Sequence, residues 1–238
     1  ADAKQFLQET PLPKYAKAEP GVQNEVPKLT INILDKAART QIGGEKAALK
    51  ALSQFIERLD KYEQRNDPGK QSCSRLSSYL HFGHISPITI VQCISAAAAA
   101  NPKLDATAQA FIEQVFIRRE VAHNFTYYNP QYDSLAGCPQ WARDTLGKHR
   151  ADKREYVYSR AELEEGKTHD ELWNAAQLEM VRSGYMHNYV RMLWAKKILE
   201  WSDTPEDAFA TAVTLNDTYE LDGRDANGYT GISWSIGG

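Results

Sequence analysis

Apolar side chains recur every three or four residues along most of this 238-residue chain, and that spacing restricts its fold more than any other feature. It is the period of an α-helix with one buried face, whereas a half-buried strand alternates every second residue. A first segment runs from Glu45 to a stop signal at Asn66-Asp67-Pro68-Gly69. Further segments cover 87–100, 105–128, 139–149, 170–182, 185–201 and 205–219. Strand-like alternation is almost absent, so the sequence predicts an all-α fold.

The two ends of the chain lack this period. Residues 1–44 contain scattered prolines and the pair Gly43-Gly44, which is typical of an irregular lead-in or linker. We therefore expect a lead-in over 1–44 and one helical domain over 45–238. The glycine-rich stretch from Leu221 to Gly238 carries several polar side chains and is predicted to be a loop. We also expect that the chain is truncated at both ends.

Composition excludes several classes of protein. The content of 42% hydrophobic and 25% charged residues is ordinary for a globular domain. No apolar run approaches the roughly 18 residues that a transmembrane helix needs. Three cysteines without a CxxC pair favour neither a disulfide framework nor a zinc ribbon, and no signal peptide is visible, so we expect an intracellular protein. The net charge of −3 means that any binding to nucleic acid depends on a local basic surface.

Common catalytic motifs are absent from the sequence. HExxH, the Walker phosphate loop, GxSxG and GxGxxG are all missing. His81 and His84 lie three residues apart but no second ligand pair follows, and Asp222, Asp225 and Asn227 lack the spacing of a calcium loop. We therefore predict no metal site.

Three other patterns leave alternatives open. The hydroxyl-rich segment 72–86 either binds phosphate or caps a helix. Arg118 and Arg119 lie on an apolar-aromatic helix and either contact DNA phosphates or pair with carboxylates. Trp194 and Trp201 lie seven residues apart on one helix face, and Trp173 lies on the preceding helix. These three tryptophans are either core residues or an electron relay.

Taken together, these stretches resemble the flavin-binding domain of the photolyase/cryptochrome superfamily, most of all its class II cyclobutane pyrimidine dimer photolyases. The resemblance extends from about residue 45 to the end. The motifs that carry it are Arg65–Pro68, Leu76–Gly83, Arg118–Glu120, Tyr128–Pro130, Tyr132–Ser134, Trp141–Arg143, Leu172–Gln177, Gly184–His187, Arg191–Trp201 and Leu221–Asp225.

The resemblance implies a helical domain that binds FAD in a bent conformation. Members of the family excite the reduced flavin with light and pass one electron to a pyrimidine dimer swung out of the DNA duplex. The cofactor-binding residues implied here are Tyr62, Ser74, Leu76, Ser77, Arg191, Asn216, Asp222 and Asp225. Among them, Asn216 resembles the asparagine placed at flavin N5, and Asp222 and Asp225 resemble the acidic pair of the flavin loop.

The same resemblance implies an electron path and a lesion site. Trp194 is expected nearest the flavin, Trp173 in the middle and Trp201 at the surface, with Tyr158 as a side donor. The residues expected at the lesion are Gln114, Arg118, Met192 and Trp234, joined by Arg119 and the basic residues of 148–154 as a DNA-facing surface. Gln114 departs from the family, which usually has a glutamate there, and an amide cannot titrate. This puts repair efficiency in doubt.

The function implied is light-driven repair of cyclobutane pyrimidine dimers in ultraviolet-damaged DNA, a carbon-carbon lyase reaction catalysed by a monomer without membrane contact. A cryptochrome-like photoreceptor without repair activity is the first alternative, and Gln114 favours it. A flavin-free helical binding module is the second. Ser78 stands where the family has proline. The N-terminal domain that carries the family's antenna pigment is missing, so no antenna site is expected in this chain.

Overall fold

The computed structural model describes residues 41–238. Over this range helices alternate with short connections and no strand is present, which confirms the all-α prediction. The helices are α1 Glu45–Ile56, α2 Ser77–His81, α3 Pro87–Ala100, α4 Asp105–Ile112, α5 Arg119–Tyr128, α6 Gln140–Lys148, α7 Arg160–Glu164, α8 Glu171–Ser183, α9 Asn188–Glu200, α10 Pro205–Tyr219 and α11 Ala226–Gly237. A π-helical segment, Glu113–Arg118, joins α4 to α5.

Helices with clear start signals lie where the sequence predicts them. Ser86 caps α3 by accepting a hydrogen bond from the Ile88 backbone N–H, and Pro87 occupies the first turn. Thr204 and Pro205 begin α10 in the same way, with Thr204 accepting from the backbone N–H of Asp207. The first predicted helix is shorter than expected. It ends at Ile56, and residues 59–64 continue as a 3₁₀-helix.

The prediction of a C-terminal loop over 221–238 is wrong. Only residues 221–225 form turns, and α11 begins after Asp225, whose side chain accepts a hydrogen bond from the Asn227 backbone N–H. Glycines in α11 allow close packing: a Cβ on Gly228 would lie 2.9 Å from the side-chain nitrogen of Asn216. Ile232 and Ile236 are buried, so this segment packs into the core. Residues 1–40 of the predicted lead-in over 1–44 lie outside the described residues.

Two hydrophobic clusters form the core. The N-terminal cluster is built from α1, α3 and α4 and includes Phe55, Ile90 and Phe111. The C-terminal cluster is built from α8 to α11 and includes Trp194 and Phe209. Of the helices in the described part of the chain, none is long and apolar enough to cross a membrane. Both clusters contribute residues to the lining of the cavity described next.

Candidate functional site

A cavity of about 460 Å³ is lined by residues of both hydrophobic clusters. Its polar wall comes from the segment before α2, from the π-helical segment, from α9 and from the start of α11. Its apolar wall is formed by Leu76, Phe111, Val115, Met186, Ala195 and Ile232. The cavity therefore offers an apolar surface for a ring system and a polar surface for charged groups.

Basic side chains dominate the charge around the cavity. The arginines that line it are Arg65, Arg75, Arg118, Arg119 and Arg191, against the carboxylates of Asp222 and Asp225. Guanidinium groups bind phosphate oxygens through paired N–H donors. Although the chain as a whole is negatively charged, this cavity is suited to an anionic ligand.

Arg191 is the most constrained of these arginines. Its terminal nitrogens lie 3.2 Å from a carboxylate oxygen of Asp222 and 3.0 Å from one of Glu220. Burial raises the pKa of Glu220 to about 8, although the guanidinium acts in the opposite direction. The Nε of Arg191 and Oε1 of Glu220 are both buried without a hydrogen-bond partner. Glu220 is outside the residues that line this cavity, but Arg191 lines it, and an unsatisfied donor in a cavity wall is expected where a polar ligand belongs.

Hydroxyl groups and a strained backbone mark the segment before α2. The side chains of Ser74 and Ser77 line the cavity, and Ser74 Oγ accepts a 3.4 Å hydrogen bond from the backbone N–H of Leu76. Arg75 adopts a left-handed conformation with φ of +57°. This conformation lets its guanidinium stack on the ring of Tyr185, 3.9 Å from the centroid.

Tyr62 also lines the cavity, and its ring packs edge-on against Phe111 with 5.1 Å between centroids. Burial raises the pKa of Tyr62 to about 12, so its phenol stays protonated.

All the predicted cofactor-binding residues except Asn216 line this one cavity.

Asn227 lines the cavity beside Asp225, as do the amide residues Asn66, Gln114 and Asn188, whereas Asn216 is not among the lining residues. Asn216 is buried in α10 behind Gly228, where its Nδ2 donates a 3.0 Å hydrogen bond to Asp217. Asn227 donates hydrogen bonds to Asp225 from both its backbone and its side chain, at 3.0 and 2.9 Å. The signal that could have found Asn227 is its place two residues after the helix-capping Asp225.

Asp225 is held as an ionised acceptor. Its burial opposes ionisation, but the hydrogen bonds from Asn227 and from His81, whose Nδ1 lies 3.3 Å away, outweigh it and place the pKa of Asp225 below its usual value. His81 therefore pairs with a carboxylate. Among the residues that the structure describes, no group of three or more potential metal-ligating side chains is found.

The three tryptophans predicted as a relay form a continuous path. The indoles of Trp194 and Trp173 are nearly parallel with centroids 6.4 Å apart, and Trp173 meets Trp201 edge-on at 5.6 Å. Trp194 Nε1 donates to the side chain of Gln177 at 2.9 Å, and Trp173 Nε1 donates to the backbone carbonyl of Trp194 at 3.2 Å. Trp194 follows the cavity-lining residues Arg191 and Met192 along α9.

One prediction about this path is wrong: Trp201 is not at the surface. Its residue is only 1% exposed, because the segment around Tyr158 covers it. The Tyr158 backbone N–H donates to the carbonyl of Trp201 at 3.0 Å, and the two rings meet edge-on at 5.7 Å. The aromatic path therefore continues through Tyr158 to the surface.

Comparisons with known proteins identify relatives of this chain. No protein-family model matches the chain. Deoxyribodipyrimidine photo-lyases of Oryza sativa subsp. japonica and Methanothermobacter thermautotrophicus are 53% and 48% identical to it, each over 82% of the chain. The chain belongs to the photolyase/cryptochrome superfamily. It spans 39% and 42% of the length of these two relatives.

A solved structure supports the same fold. The class III photolyase from Agrobacterium tumefaciens superposes with a TM-score of 0.66 over 81% of this chain and 38% of its own, at 22% sequence identity. At this identity the likeness concerns the fold alone. It is the helical photolyase/cryptochrome fold expected from the sequence.

The residues that the photolyase resemblance assigns to the lesion lie near the cavity opening. Gln114, Arg118 and Met192 line the cavity and are exposed. Trp234 is not among the lining residues, but it is 60% exposed and its ring lies 6.0 Å from the guanidinium carbon of Arg118. Arg119 pairs with Glu120, and Arg150, from the predicted basic segment 148–154, pairs with Glu206. Arg118 is also paired, with a carboxylate oxygen of Glu113 3.2 Å from its Nε, so the arginines around the opening contact carboxylates just as Arg150 does.

Proposed function

We propose that this chain is the flavin-binding catalytic region of a class II deoxyribodipyrimidine photo-lyase, which uses light to split cyclobutane pyrimidine dimers in DNA. The observation that carries the proposal is one cavity with an arginine-rich wall, beside a buried tryptophan path, in a chain 53% identical to a photo-lyase. We also propose that it acts as an intracellular monomer. The three unpaired cysteines support a reducing compartment.

The residues present fit FAD. Arg191 Nε is a buried donor without a partner in a wall rich in guanidinium groups, as a ligand with anionic and polar parts requires. Ser74, Ser77 and Arg75 would hold the phosphates, while Asp222 keeps Arg191 in place. When bound in its reduced form, FAD supplies the electron that light makes available for the reaction.

The amide assigned by sequence to Asn216 is, in this proposal, that of Asn227. Asn227 lines the cavity and is tied to Asp225, so its orientation is fixed by a carboxylate that stays ionised. An amide can donate or accept a hydrogen bond, and it therefore suits a ring nitrogen whose protonation changes during the reaction.

The tryptophan path would restore the reduced state by carrying an electron inwards from Tyr158 through Trp201, Trp173 and Trp194. Burial of the three indoles excludes water, which limits proton loss and side reactions during the transfer. Ring separations of 5.6 to 6.4 Å place neighbouring π-systems in contact.

Gln114, Met192 and Trp234 would receive the dimer. Apolar side chains replace the base stacking that a flipped-out dimer loses, and Arg118 would contact the adjacent backbone. The Gln114 amide can hydrogen-bond a thymine carbonyl but cannot supply a proton. This residue is also the observation that favours the second candidate function, a cryptochrome-like photoreceptor that keeps the flavin and the tryptophans without repairing DNA.

A repair assay separates these functions. The purified chain is loaded with oxidised FAD and illuminated with blue light in the presence of an external reductant and a dimer-containing oligonucleotide, and both the photoreduction of the flavin and the restored thymines are measured. Repair supports the photo-lyase, whereas a flavin that photoreduces while the dimers stay intact supports the photoreceptor. A chain that binds no flavin under any condition contradicts both and supports a flavin-free module.

A further inference from the structure

The surface end of the tryptophan path contains a hydrogen-bonded tyrosine–histidine pair. The hydroxyl oxygen of Tyr158 lies 2.8 Å from Nδ1 of His169. The ring of Tyr156 stacks on the imidazole, with 3.8 Å between centroids. His169 also meets Trp201 edge-on at 5.2 Å. An exposed imidazole therefore contacts the one tyrosine that connects the buried path to solvent.

The hydrogen bonds indicate where the phenol proton points. The His169 backbone N–H donates to the Tyr158 hydroxyl oxygen at 3.0 Å, and this N–H cannot accept the phenol proton. The phenol has one proton to give, and Nδ1 of a neutral imidazole is an acceptor when Nε2 carries the ring proton. The geometry therefore favours donation from Tyr158 to His169.

Both neighbours of His169 are anchored to α8, which also carries Trp173. The Thr168 backbone N–H donates to the side chain of Asn174 at 2.9 Å, and Asn174 Nδ2 returns a 2.8 Å bond to the Thr168 carbonyl. Asp170 caps α8 by accepting from the Trp173 backbone N–H at 2.9 Å. His169 is thus held rigidly relative to the path, as a proton acceptor must be.

Trp201 is poorly suited to keep a positive charge. Its indole Nε1 is buried, and no described side chain or backbone group accepts a hydrogen bond from it. The ammonium group of Lys197 lies 5.4 Å from the ring centroid and disfavours added positive charge. Both features favour movement of the charge onwards to Tyr158.

We propose that His169 is the proton acceptor that allows Tyr158 to act as the terminal electron donor of the path. The inference rests on the proposed function, because the path must first withdraw an electron from Trp201. In the step, one electron passes from the Tyr158 phenol to the Trp201 radical cation. The phenol O–H bond breaks and an N–H bond forms at His169 Nδ1, leaving neutral Trp201, a neutral tyrosyl radical and an imidazolium exposed to solvent.

A measurement in the dark tests the hydrogen bond itself. In the flavin-loaded chain labelled with ¹⁵N histidine, we expect the His169 Nδ1 resonance of an unprotonated acceptor with the proton on Nε2. Tyr158→Phe should shift that resonance, whereas Tyr156→Phe removes a hydroxyl from the other stacked ring and should leave the nitrogen unprotonated. A proton on Nδ1 in the neutral ring would overturn the assignment.

Time-resolved absorption after a blue flash tests the proton transfer. The unaltered chain should form a tyrosyl radical as the tryptophan radical decays, and more slowly in D₂O than in H₂O. His169→Ala should slow this step by about 10²-fold, the lower end of what a positioned base contributes. Imidazole added to the solution should restore part of the rate, which a purely structural role of His169 would not allow.

The matched control is His149→Ala, which removes another exposed histidine bonded to a nearby side chain, that of Asp152. It should leave tyrosyl formation unchanged. If a flash produces a tryptophan radical and its decay is the same in His169→Ala and the unaltered chain, His169 is not the acceptor, while the path itself stands. If no tryptophan radical forms at all in flavin-loaded protein, the proposed function of the path fails first.

Discussion

The cavity wall and the tryptophan path lie side by side but differ in almost every physical property. The wall carries five guanidinium groups, two carboxylates and several hydroxyls. The path consists of three indoles exposed by only 4%, 1% and 1% for Trp173, Trp194 and Trp201. The wall is therefore suited to recognise an anionic ligand, and the path to move charge without water. Separate substitutions should affect binding and electron transfer independently.

Arg191→Leu should have the largest effect of these substitutions, and it should impair flavin binding by the cavity wall. It leaves the buried side chains of Asp222 and Glu220 without their partner, and breaking the buried ion pair with Asp222 should cost roughly 3 kcal/mol of unfolding free energy. Chemical denaturation and the flavin content of the purified protein measure the effect. Arg191→Lys should retain part of the stability and part of the flavin content. A leucine variant with normal flavin content would show that flavin binding does not depend on this arginine.

Trp194→Phe should affect the path and leave the wall intact. Phenylalanine preserves most of the packing but is a much poorer electron donor, so photoreduction should slow by more than an order of magnitude while flavin stays bound. Blue-light photoreduction with an external reductant measures the rate. Trp141→Phe is the matched control, because Trp141 is 61% exposed and outside the path. Equal rates in both variants would remove Trp194 from the relay.

Two asparagine variants test which amide belongs to the cavity wall and which belongs to the core. Asn227→Ala should change the flavin absorption spectrum, because its amide lines the cavity, with little change in stability. Asn216→Ala should leave the spectrum unchanged and lower the unfolding free energy by about 1–3 kcal/mol, as expected for loss of a buried polar group. The opposite pattern would return the role at the flavin to Asn216.

Gln114→Glu should have the smallest effect on stability and flavin content, and it should change only the repair of dimers. The side chain is exposed at the cavity opening, so stability and flavin content should not change. If the amide limits repair, the carboxyl group should raise the yield of split dimers per absorbed photon. A lower yield than in the unaltered chain would show that the amide is the better group here.

Helix prediction succeeded where local signals were strong. α3 and α10 begin at Ser86-Pro87 and Thr204-Pro205, where a cap and a proline specify the first turn whatever the tertiary context. α11 was missed because its glycines are typical of loops in sequence. In the fold they allow α11 to pack closely against α10, a tertiary effect that periodicity does not register.

The site could be predicted residue by residue only as far as the motifs extend. The resemblance pointed to the serines before α2 and to Arg191, all of which line the cavity. It implied that the amide at the flavin is Asn216, but in the fold Asn227 lines the cavity and Asn216 is packed behind Gly228. It placed Trp201 at the surface because a helix pattern does not reveal that the Tyr158 segment covers it.

The most direct test of the account is the absorption spectrum of the purified chain before and after blue light with an external reductant. The account predicts flavin bands in the near-ultraviolet and blue that bleach on illumination in the unaltered chain. The bands should persist unbleached in Trp173→Phe, because the path is broken while the wall still binds. Equally fast bleaching in both proteins would contradict the central claim that this cavity and this tryptophan path act together.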